Sequence, residues 1–352
     1  MRILFYGGCH AFALRRIFEE FVPALREAHH LTNYRLISTK SPVPYKEMSG
    51  YDAVVFSPVL RKEGYNTDEL EQVLTEARVP FVKYPWLQWS GYAPGAEITS
   101  SYAWHTGWWY RALEQAAAEY PTFQAFETAV MEGDLLADMA LSNLQKTTAD
   151  LRAREADCDV KIAPFVEQNY RYKRLFLTPD HAGNALYSDV CTQITDRLGL
   201  KLSPDLHQDR METQDGILLP ILPSVQRALR LEFHSEEYRN KMFLGKNIMS
   251  LRSFLRMVHD ARSVVVAQSV NATRLYAGDE AVTVPAQRLF LVQPVAEQSK
   301  PGYRDYRFLS AAKAVVPNLA VNGKVLSLYR AHWQFRDEIR IQEHDGEQVS
   351  IA

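Results

Sequence analysis

Cysteine is scarce in this 352-residue chain, which has three thiols, Cys9, Cys158 and Cys191. They are odd in number and far apart in sequence, which argues against a disulfide framework and against a zinc cluster. Seven of the histidines also have no second ligand at the spacing of a metal site, so we expect no bound metal. They are His29, His30, His207, His234, His259, His332 and His344. This cysteine usage is typical of a reducing compartment, and we therefore expect a cytoplasmic protein.

Long apolar runs and an excess of one charge are missing as well. No stretch approaches the roughly 18 apolar residues of a membrane-spanning helix, and the first residues resemble no secretory signal, so we expect neither segment. The chain has 40 basic and 42 acidic side chains, for a net charge of -2. This balance produces no field that favours nucleic acid or an anionic membrane, and any site for a polyanion must be local.

The first thirty residues carry the strongest pattern in the chain. The apolar run Arg2–Tyr6 predicts a buried strand, Gly7-Gly-Cys-His10 a tight turn, and Ala11–Ala28 an amphipathic helix. Glycines let the backbone approach a ligand closely, and the helix presents unpaired N–H groups at the same place. Cys9 and His10 therefore lie where open α/β sheets bind their ligands. The alternative is a simple strand-to-helix turn with a half-buried thiol.

Strands and helices alternate after this unit. The pattern predicts strands at 34–38, 51–56 and 79–84 and a helix over 68–77, which favours a mostly parallel sheet in a three-layer α/β/α arrangement. The aromatic segment 85–101, with Trp86, Trp89 and Tyr92, predicts a loop that lines a small-molecule pocket. The alternative is a satellite core beneath a long loop. The pattern is helical from about 107 to 156.

A second polar cluster repeats the geometry of the first. Asp180, His181 and Asn184 follow a predicted strand and precede a helix over Ala185–Leu198. A histidine beside carboxylate and amide groups is suited to act as a base near neutral pH. The alternative is that Asp180 or Asn184 is only a helix cap and that His181 faces solvent.

The period of the sequence changes beyond residue 260. We predict a small C-terminal β module there, with short strands at 263–267, 281–284, 288–292, 324–329 and 338–342. Turns at 277–279, 300–302 and Asn322-Gly323 separate these strands. A helix capped near Ser250 precedes the module.

An ordered set of short motifs resembles the WcbI-type polysaccharide biosynthesis enzymes over roughly residues 1–259. The motifs are Gly7-Gly-Cys-His10, Tyr51–Pro58, Val82–Tyr92, Arg154-Glu155, Asp159–Ile162, Arg174–His181 and Leu222–Val225. This sequence differs from the commoner Gly-Asn-Cys-Gln by Gly8 and His10, and from Asn-His-Pro by Asp180 and Ala182. The β module after residue 260 is not covered.

The resemblance implies an acetyltransferase of bacterial capsular polysaccharide that binds coenzyme A in a deep, loop-lined pocket. It implies a catalytic domain over 1–259, in which an SGNH-hydrolase-like α/β part merges with a large helical part, and leaves 260–352 as the β module. The expected partners are an acyl donor and a sugar or polysaccharide acceptor, with other polysaccharide-assembly proteins as further candidates.

Acyl transfer to a sugar hydroxyl requires a base, donors for an oxyanion and cationic partners for the coenzyme's phosphates. We expect backbone N–H groups around Gly8, Cys9 and His10 to be the donors. His10 or His181 is the candidate base, with Asp180 orienting it. Cys9 either forms a thioester intermediate, or the sugar hydroxyl attacks the acyl donor directly in a ternary complex.

The candidate coenzyme-binding residues come from the two turns, the predicted strand at 79–84, the aromatic segment and the basic stretch Tyr170–Arg174. They are Gly7, Gly8, Lys83, Trp86, Tyr92, Arg171, Lys173, Arg174 and Asn184. For any one basic residue, the alternative is a solvated surface position.

Two other functions are compatible with these residues. One is a glycan esterase, in which water replaces the sugar acceptor. The other is a non-catalytic protein that binds a glycan or nucleotide through the aromatic segment and the β module. The transferase hypothesis requires the turns around residues 9 and 181 to converge, and we expect them to do so from neighbouring strand tips.

Overall fold

The computed structural model describes residues 1–59, 63–102, 105–208, 216–240 and 248–259, together with the backbone of nine strands between 265 and 351. Within the first five ranges, side chains are described except at 99–102, 105–106 and 207–208.

A four-stranded parallel sheet lies at the centre of the N-terminal part. Its strands are β1 (Arg2–Gly7), β2 (Glu27–Thr32), β3 (Ala53–Phe56) and β4 (Phe81–Lys83), in the order β2-β1-β3-β4. Residues 3–6 of β1 and all of β3 are at most 3% exposed. Such continuous apolar runs are typical of strands that are covered on both faces. The predicted parallel sheet is thus confirmed.

Alternate residues of β1 pack on opposite faces of the sheet. On one face, Phe5 meets Phe18 of α1 (Cys9–Phe21) edge to face, with the ring centroids 5.1 Å apart. On the other face, Leu4 and Tyr6 belong to a buried cluster that includes Leu70 and Leu74 of α4 (Thr67–Glu76). The side chain of Asn66 accepts a hydrogen bond from Asp68 N at 3.0 Å and caps the start of α4.

The prediction of a second strand over 34–38 is wrong. Residues Asn33–Thr39 form the helix α2, and β2 lies just before it, where the sequence pattern predicted the end of the first helix. The first helix ends earlier than predicted because of Pro23, since the residue before a proline is disfavoured in helical conformation. Val22 is extended, with φ −114° and ψ 94°, so α1 ends at Phe21 and the chain returns to pair with β1.

The aromatic segment and the following region contain a hairpin that the sequence pattern did not predict. After β4 the chain is irregular to residue 95, and then β5 (Ala96–Tyr102) pairs antiparallel with β6 (His105–Tyr110). The predicted helical region therefore begins at residue 111 rather than at 107. Its helices are α5 (Arg111–Ala117), α6 (Phe123–Met131) and α7 (Ala137–Glu155), and α8 (Ala163–Asn169) follows.

The second polar cluster lies on a small hairpin, not on the parallel sheet. β7 (Phe176–Thr178) is a strand, as predicted, but it pairs antiparallel with β8 (His181–Ala182) across the turn at Pro179-Asp180. The expectation of neighbouring strand tips is therefore wrong. The hydrogen bonds of β7 are made locally because the chain reverses within two residues. The predicted helix follows as α9 (Asn184–Arg197).

Short elements connect α9 to the C-terminal region. They are a 3₁₀ turn (Pro204–Gln208), β9 (Ile217–Leu218), α10 (Pro223–Leu229), β10 (Arg239–Asn240) and α11 (Leu251–His259). Ser250 Oγ accepts from Ser253 N at 3.3 Å, which confirms the predicted cap. α3 (Tyr45–Met48) is a single turn before β3.

The C-terminal region contains strands near each predicted position, at β11 (Val265–Gln268), β13 (Glu280–Val284), β14 (Leu289–Pro294), β17 (Lys324–Leu326) and β18 (Glu338–His344). Four more strands were not predicted, namely β12 (Thr273–Ala277), β15 (Tyr303–Ser310), β16 (Leu319–Val321) and β19 (Gln348–Ile351). Five of the nine form an antiparallel sheet in the order β11-β14-β15-β18-β19. Residues 278–279, 300–302 and 322–323 of the predicted turns lie outside the described residues.

The chain divides into two compact units. Unit 1 contains residues 1–92, 137–215 and 226–235, and unit 2 contains 93–136, 216–225 and 236–352. The parallel sheet, α7 to α9 and both polar clusters belong to unit 1. None of the helices in the described ranges combines the length and apolarity needed to cross a membrane.

Candidate active site

The first polar cluster lies where β1 turns into α1. Gly7 ends the strand, and Phe12 N donates to Gly8 O at 3.2 Å in the first turn of the helix. A Cβ on Gly7 would lie 3.1 Å from Tyr84 Oη, closer than ordinary packing, and one on Gly8 would reach the Trp86 ring at 3.4 Å. The two glycines therefore let aromatic side chains approach the turn.

Cys9 is the first residue of α1, and its side chain is partly exposed. The backbone N–H groups of a helix's first turn have no partner within the helix, and the helix dipole adds positive potential at the same end. Both effects favour a bound anion beside Cys9, or the thiolate form of Cys9 itself. The position predicted for the thiol is therefore chemically suited to acyl chemistry.

His10 connects the first cluster to the second. Its side chain is completely buried, and its Nε2 lies 2.5 Å from the main-chain oxygen of Asp180. A carbonyl only accepts hydrogen bonds, so Nε2 carries the proton of the neutral ring. His10 Nδ1 is then an unprotonated nitrogen, and it is buried without a hydrogen-bond partner among the described residues. Trp86 packs edge-on against the same imidazole, with centroids 4.4 Å apart.

Burial lowers the pKa of His10 from 6.5 to about 4. The bond to the Asp180 carbonyl and the Asp180 carboxylate oppose this shift, whereas His181 and the Arg154 guanidinium lower the pKa further. His10 is consequently neutral at pH 7, with the lone pair of Nδ1 available to accept a proton.

The second cluster lies at the tip of the β7–β8 hairpin. Thr178 Oγ1 donates to Asp180 Oδ1 at 2.9 Å. His181 Nε2 is 4.0 Å from the same oxygen, too far for a hydrogen bond. Burial lowers the pKa of His181, against a raising contribution from Asp180. Like His10, His181 has a buried Nδ1 with no partner in the described part of the chain.

The contact between His10 and Asp180 confirms that the two turns converge. They are 170 residues apart in sequence. The structure differs from the expectation in how Asp180 acts, because His10 is oriented by the main-chain carbonyl and not by the carboxylate. No local pattern in the sequence indicates such a backbone contact.

Two tyrosines at this site were not predicted from the sequence. Tyr84 directly follows β4, and Tyr187 lies in the first turn of α9; both are completely buried. The charge of Cys9 contributes to raising the pKa of both phenols, after the larger effect of burial. The available signal was the position of Tyr84 at the carboxyl end of a strand, where such sheets bind ligands.

Helix α7 holds the segment that follows Tyr84. The guanidinium of Arg154 donates to the main-chain and side-chain oxygens of Gln88, two residues after Trp86. Its Nε is buried without a partner among the described residues. Arg154 thus adds a half-buried positive charge near His10, which the sequence analysis noted only as part of a motif.

The four basic residues predicted to contact phosphates already have partners in unit 1. Lys83 pairs with Glu71 at 3.0 Å, and Arg174 donates to the carbonyls of Phe176 and Leu177 and to the Ser235 hydroxyl. Arg171 stacks over Tyr170, and Lys173 lies above the Phe165 ring. Arg171 and Lys173 are exposed and could rearrange around a ligand.

The aromatic residues divide between site and core. Trp86 is half-buried and contacts His10. Trp89 stacks on Phe176, and the hydroxyl of buried Tyr92 donates to the carbonyls of Tyr170 and Lys173. Trp89 and Tyr92 therefore anchor the loop, while Trp86 lies at the turn. Asn184 begins α9, half-buried.

The fold and the site together define a class, an α/β protein with a cysteine and a neutral histidine at the first strand-to-helix turn of a parallel sheet. No group of three or more histidine, cysteine, aspartate or glutamate side chains in the described ranges could hold a metal ion. A family model described as polysaccharide biosynthesis enzyme WcbI matches residues 2–203. The chain belongs to this family of enzymes.

One solved structure has a similar fold. It is described as WcbI, a novel polysaccharide biosynthesis enzyme, in its native form without a disulfide bond between coenzyme A and a cysteine. The identity is 18%, the TM-score is 0.57, and the match covers 73% of this chain and 88% of the other. At this identity the similarity shows the fold alone. No curated protein matches the chain significantly.

Proposed function

We propose that this protein transfers an acetyl group from coenzyme A to a sugar hydroxyl during synthesis of a bacterial capsular polysaccharide. Membership of the polysaccharide biosynthesis enzyme family supports the pathway. The description of the structurally similar WcbI, which mentions coenzyme A and a cysteine, supports the donor. The observation that carries the proposal is the contact between His10 and Asp180, which joins two polar turns beside Cys9.

The proposed base is His10. Its Nδ1 takes the proton of the acceptor hydroxyl as the sugar oxygen attacks the thioester carbonyl. The N–H groups at the start of α1 stabilise the negative charge on the carbonyl oxygen, and the carbon–sulfur bond then breaks. The proton on His10 passes to the leaving thiolate, so the site returns to its starting state. The carbonyl of Asp180 keeps the ring oriented throughout.

Cys9 and His181 have proposed roles beside His10. Cys9 could take the acetyl group first as a thioester, and the sugar hydroxyl would then attack that group. His181, whose Nδ1 has no partner among the described residues, is the alternative base. Incubation of the wild-type chain with acetyl-CoA alone separates the two routes, because only the thioester route leaves an acetylated Cys9. Cys9→Ser is the control, since it cannot form that thioester.

The residues present fit coenzyme A at the reacting end. A partly exposed thiol, a helix start and the buried Nδ1 atoms of His10 and His181, which have no partner among the described residues, suit a thioester and its oxyanion. For the phosphates we propose Arg154, together with Arg171 and Lys173, which would have to leave their aromatic partners. Lys83 and Arg174, Gly7 and Gly8, and Trp86, Tyr92 and Asn184 stay proposed coenzyme contacts. We also propose that the part around β1 corresponds to an SGNH-hydrolase-like α/β unit.

Thermal unfolding of the full chain with acetyl-CoA, coenzyme A or desulfo-coenzyme A tests the donor. A ligand at a hundred times its dissociation constant stabilises the folded state by about 2.7 kcal/mol, so we expect a higher melting temperature with all three. Desulfo-coenzyme A is the control against trapping through a disulfide. Esterase turnover of p-nitrophenyl acetate without any shift would contradict the proposal and favour the hydrolase.

A further inference from the structure

Tyr84 combines a well-anchored backbone with a buried hydroxyl group. The side chain is completely buried, and Oη has no hydrogen-bond partner among the described residues. Leaving a buried hydroxyl unsatisfied costs stability, and such groups in native structures call for an explanation. The backbone of Tyr84 is well anchored, because its N–H donates to Phe56 O at 3.0 Å and extends the sheet.

The hydroxyl lies against the turn that carries Cys9. Tyr84 Oη is 3.1 Å from the place where a side chain on Gly7 would begin. A larger residue at position 7 would therefore collide with the phenol, and the glycine keeps this approach open. The ionisable Cys9 thiol follows Gly7 by two residues.

The electrostatic interaction between Tyr84 and Cys9 agrees with this proximity. Burial raises the pKa of Tyr84, and the negative charge of Cys9 raises it further. The phenol consequently stays protonated over the pH range in which thiols ionise. It can offer a hydrogen bond to a thiolate, but it does not compete as an anion.

We propose that Tyr84 is a positioning residue, whose O–H donates a hydrogen bond to the sulfur of Cys9 when that sulfur is a thiolate. This inference deepens the proposed function, because it rests on the proposed use of Cys9 in the acyl transfer. The proton of the Cys9 thiol leaves to solvent or to a nearby base, and Tyr84 keeps its own proton. No other bond forms or breaks.

Other groups that interact electrostatically with this site contribute to the same equilibrium. They come from α1, α7, α9, β2 and the β7–β8 hairpin and are His10, Arg154, Tyr187, His30, Asp180 and His181. A substitution of Tyr84 leaves all of them in place. The change in the ionisation of the Cys9 thiol in a Tyr84 variant can therefore be compared with that in a variant of Tyr6, which also lies in the sheet.

The test is the rate of alkylation of Cys9 by iodoacetamide between pH 5.5 and 9.5, with the modified cysteine identified by mass spectrometry in the full chain. We expect Tyr84→Phe to raise the midpoint of the profile by about one pH unit and to slow alkylation at pH 7 about tenfold, as loss of one hydrogen bond to a charged group implies. The melting temperature should not fall, since the folded thiol form loses no hydrogen bond.

Tyr6→Phe is the matched control. Tyr6 is also completely buried, and its hydroxyl also has no partner in the described part of the chain, but it lies near Tyr45 and Tyr65 on the α4 face. We expect this variant to keep the wild-type profile. An unchanged profile in Tyr84→Phe, or an equal shift in both variants, would overturn the proposal.

A second measurement covers the case in which Tyr84→Phe does not fold. Incorporation of 3,5-difluorotyrosine at position 84 makes the phenol a stronger donor with little change in size, and should lower the midpoint. A midpoint that stays in place would overturn the proposal. Alkylation requires no coenzyme A, so failure of the donor in thermal unfolding leaves this result independent.

Discussion

At the scale of single residues, the most consequential feature is a histidine that is buried in its neutral form. His10 has no exposed surface, and burial lowers its pKa to about 4. The unfolded chain has the ordinary histidine pKa of 6.5. Between these two values the unfolded state binds more protons than the folded state, so the free energy of unfolding must fall as the pH falls.

We predict that His10 makes the protein acid-sensitive. The loss in the free energy of unfolding that His10 causes is absent above pH 6.5 and grows on acidification. It is complete below pH 4, where it amounts to about 3 kcal/mol. Burial of His181 acts in the same direction. In His10→Gln, which retains an N–H donor for the Asp180 carbonyl, urea denaturation at pH 7, 5.5 and 4.5 should show a weaker loss of stability. The control is His29→Gln, on the exposed edge strand β2; equal pH dependence in all three proteins would contradict the prediction.

At the scale of elements, α7 positions the segment that carries the aromatic side of the site. Asn143 Nδ2 donates to Ser90 O at 2.6 Å, and its Oδ1 accepts from Ser90 Oγ at 3.1 Å. Thr147 and Thr148 accept from Ser90 N and from the Trp89 indole. Trp89 N in turn donates to Pro179 O at 2.7 Å. The helix is therefore linked through the segment to the hairpin of Asp180.

We predict that Asn143→Ala destabilises the protein by about 1 to 3 kcal/mol, because two hydrogen bonds are lost and partners are left unsatisfied. The same change should raise the Kd for coenzyme A, since Trp86 and Gln88 are less well held. Chemical denaturation and thermal shift measure the two effects. Met139→Ala, one turn earlier on the same helix and 40% exposed, should leave both values unchanged. An Asn143→Ala protein as stable as the wild type would contradict the prediction that these hydrogen bonds hold the segment.

At the scale of the whole molecule, the proposed catalytic domain and the observed units divide the chain differently. All residues proposed for catalysis lie in unit 1, whose last residue is 235. Residues 236–259 belong to unit 2, where Phe254 of α11 packs edge-on against Trp109 and Tyr110. A boundary after residue 259 therefore keeps this aromatic cluster intact. We retain 1–259 and 260–352 as the proposed domains.

We predict that a chain ending at His259 folds cooperatively and shows the same melting shift with desulfo-coenzyme A as the full chain. The reason is that the parallel sheet, both polar turns and α11 all lie within residues 1–259. A chain ending at Glu237 is the control, because it lacks α11 and should expose Trp109 and Tyr110, with a lower melting temperature. Aggregation of the 1–259 chain, or loss of the ligand shift, would show that the β-rich region is required.

Local patterns accounted for much of the fold. A continuous apolar run, two glycines and an amphipathic stretch locate β1, the turn and α1, and the same signals locate β3, β4, β7 and α9. The helix begins at Cys9 and ends at Phe21, earlier at both ends than the predicted Ala11–Ala28. The signals failed at residues 27–39 because an edge strand with polar residues has no distinctive period, and its identity depends on pairing with β1. They failed again at β5, where the aromatic composition indicated a loop, and at β6, whose last residues were predicted to be helical.

The sequence by itself determined that Cys9 lies at the turn between a buried strand and a helix, since strand, glycine turn and helix are fixed by neighbouring residues. Only the tertiary structure decided what surrounds Cys9. The carbonyl of Asp180 on His10, the phenol of Tyr84 and the guanidinium of Arg154 arrive from distant segments. Contacts across 66 to 170 residues leave no trace in local periodicity, because they depend on how the packed elements bring those segments together.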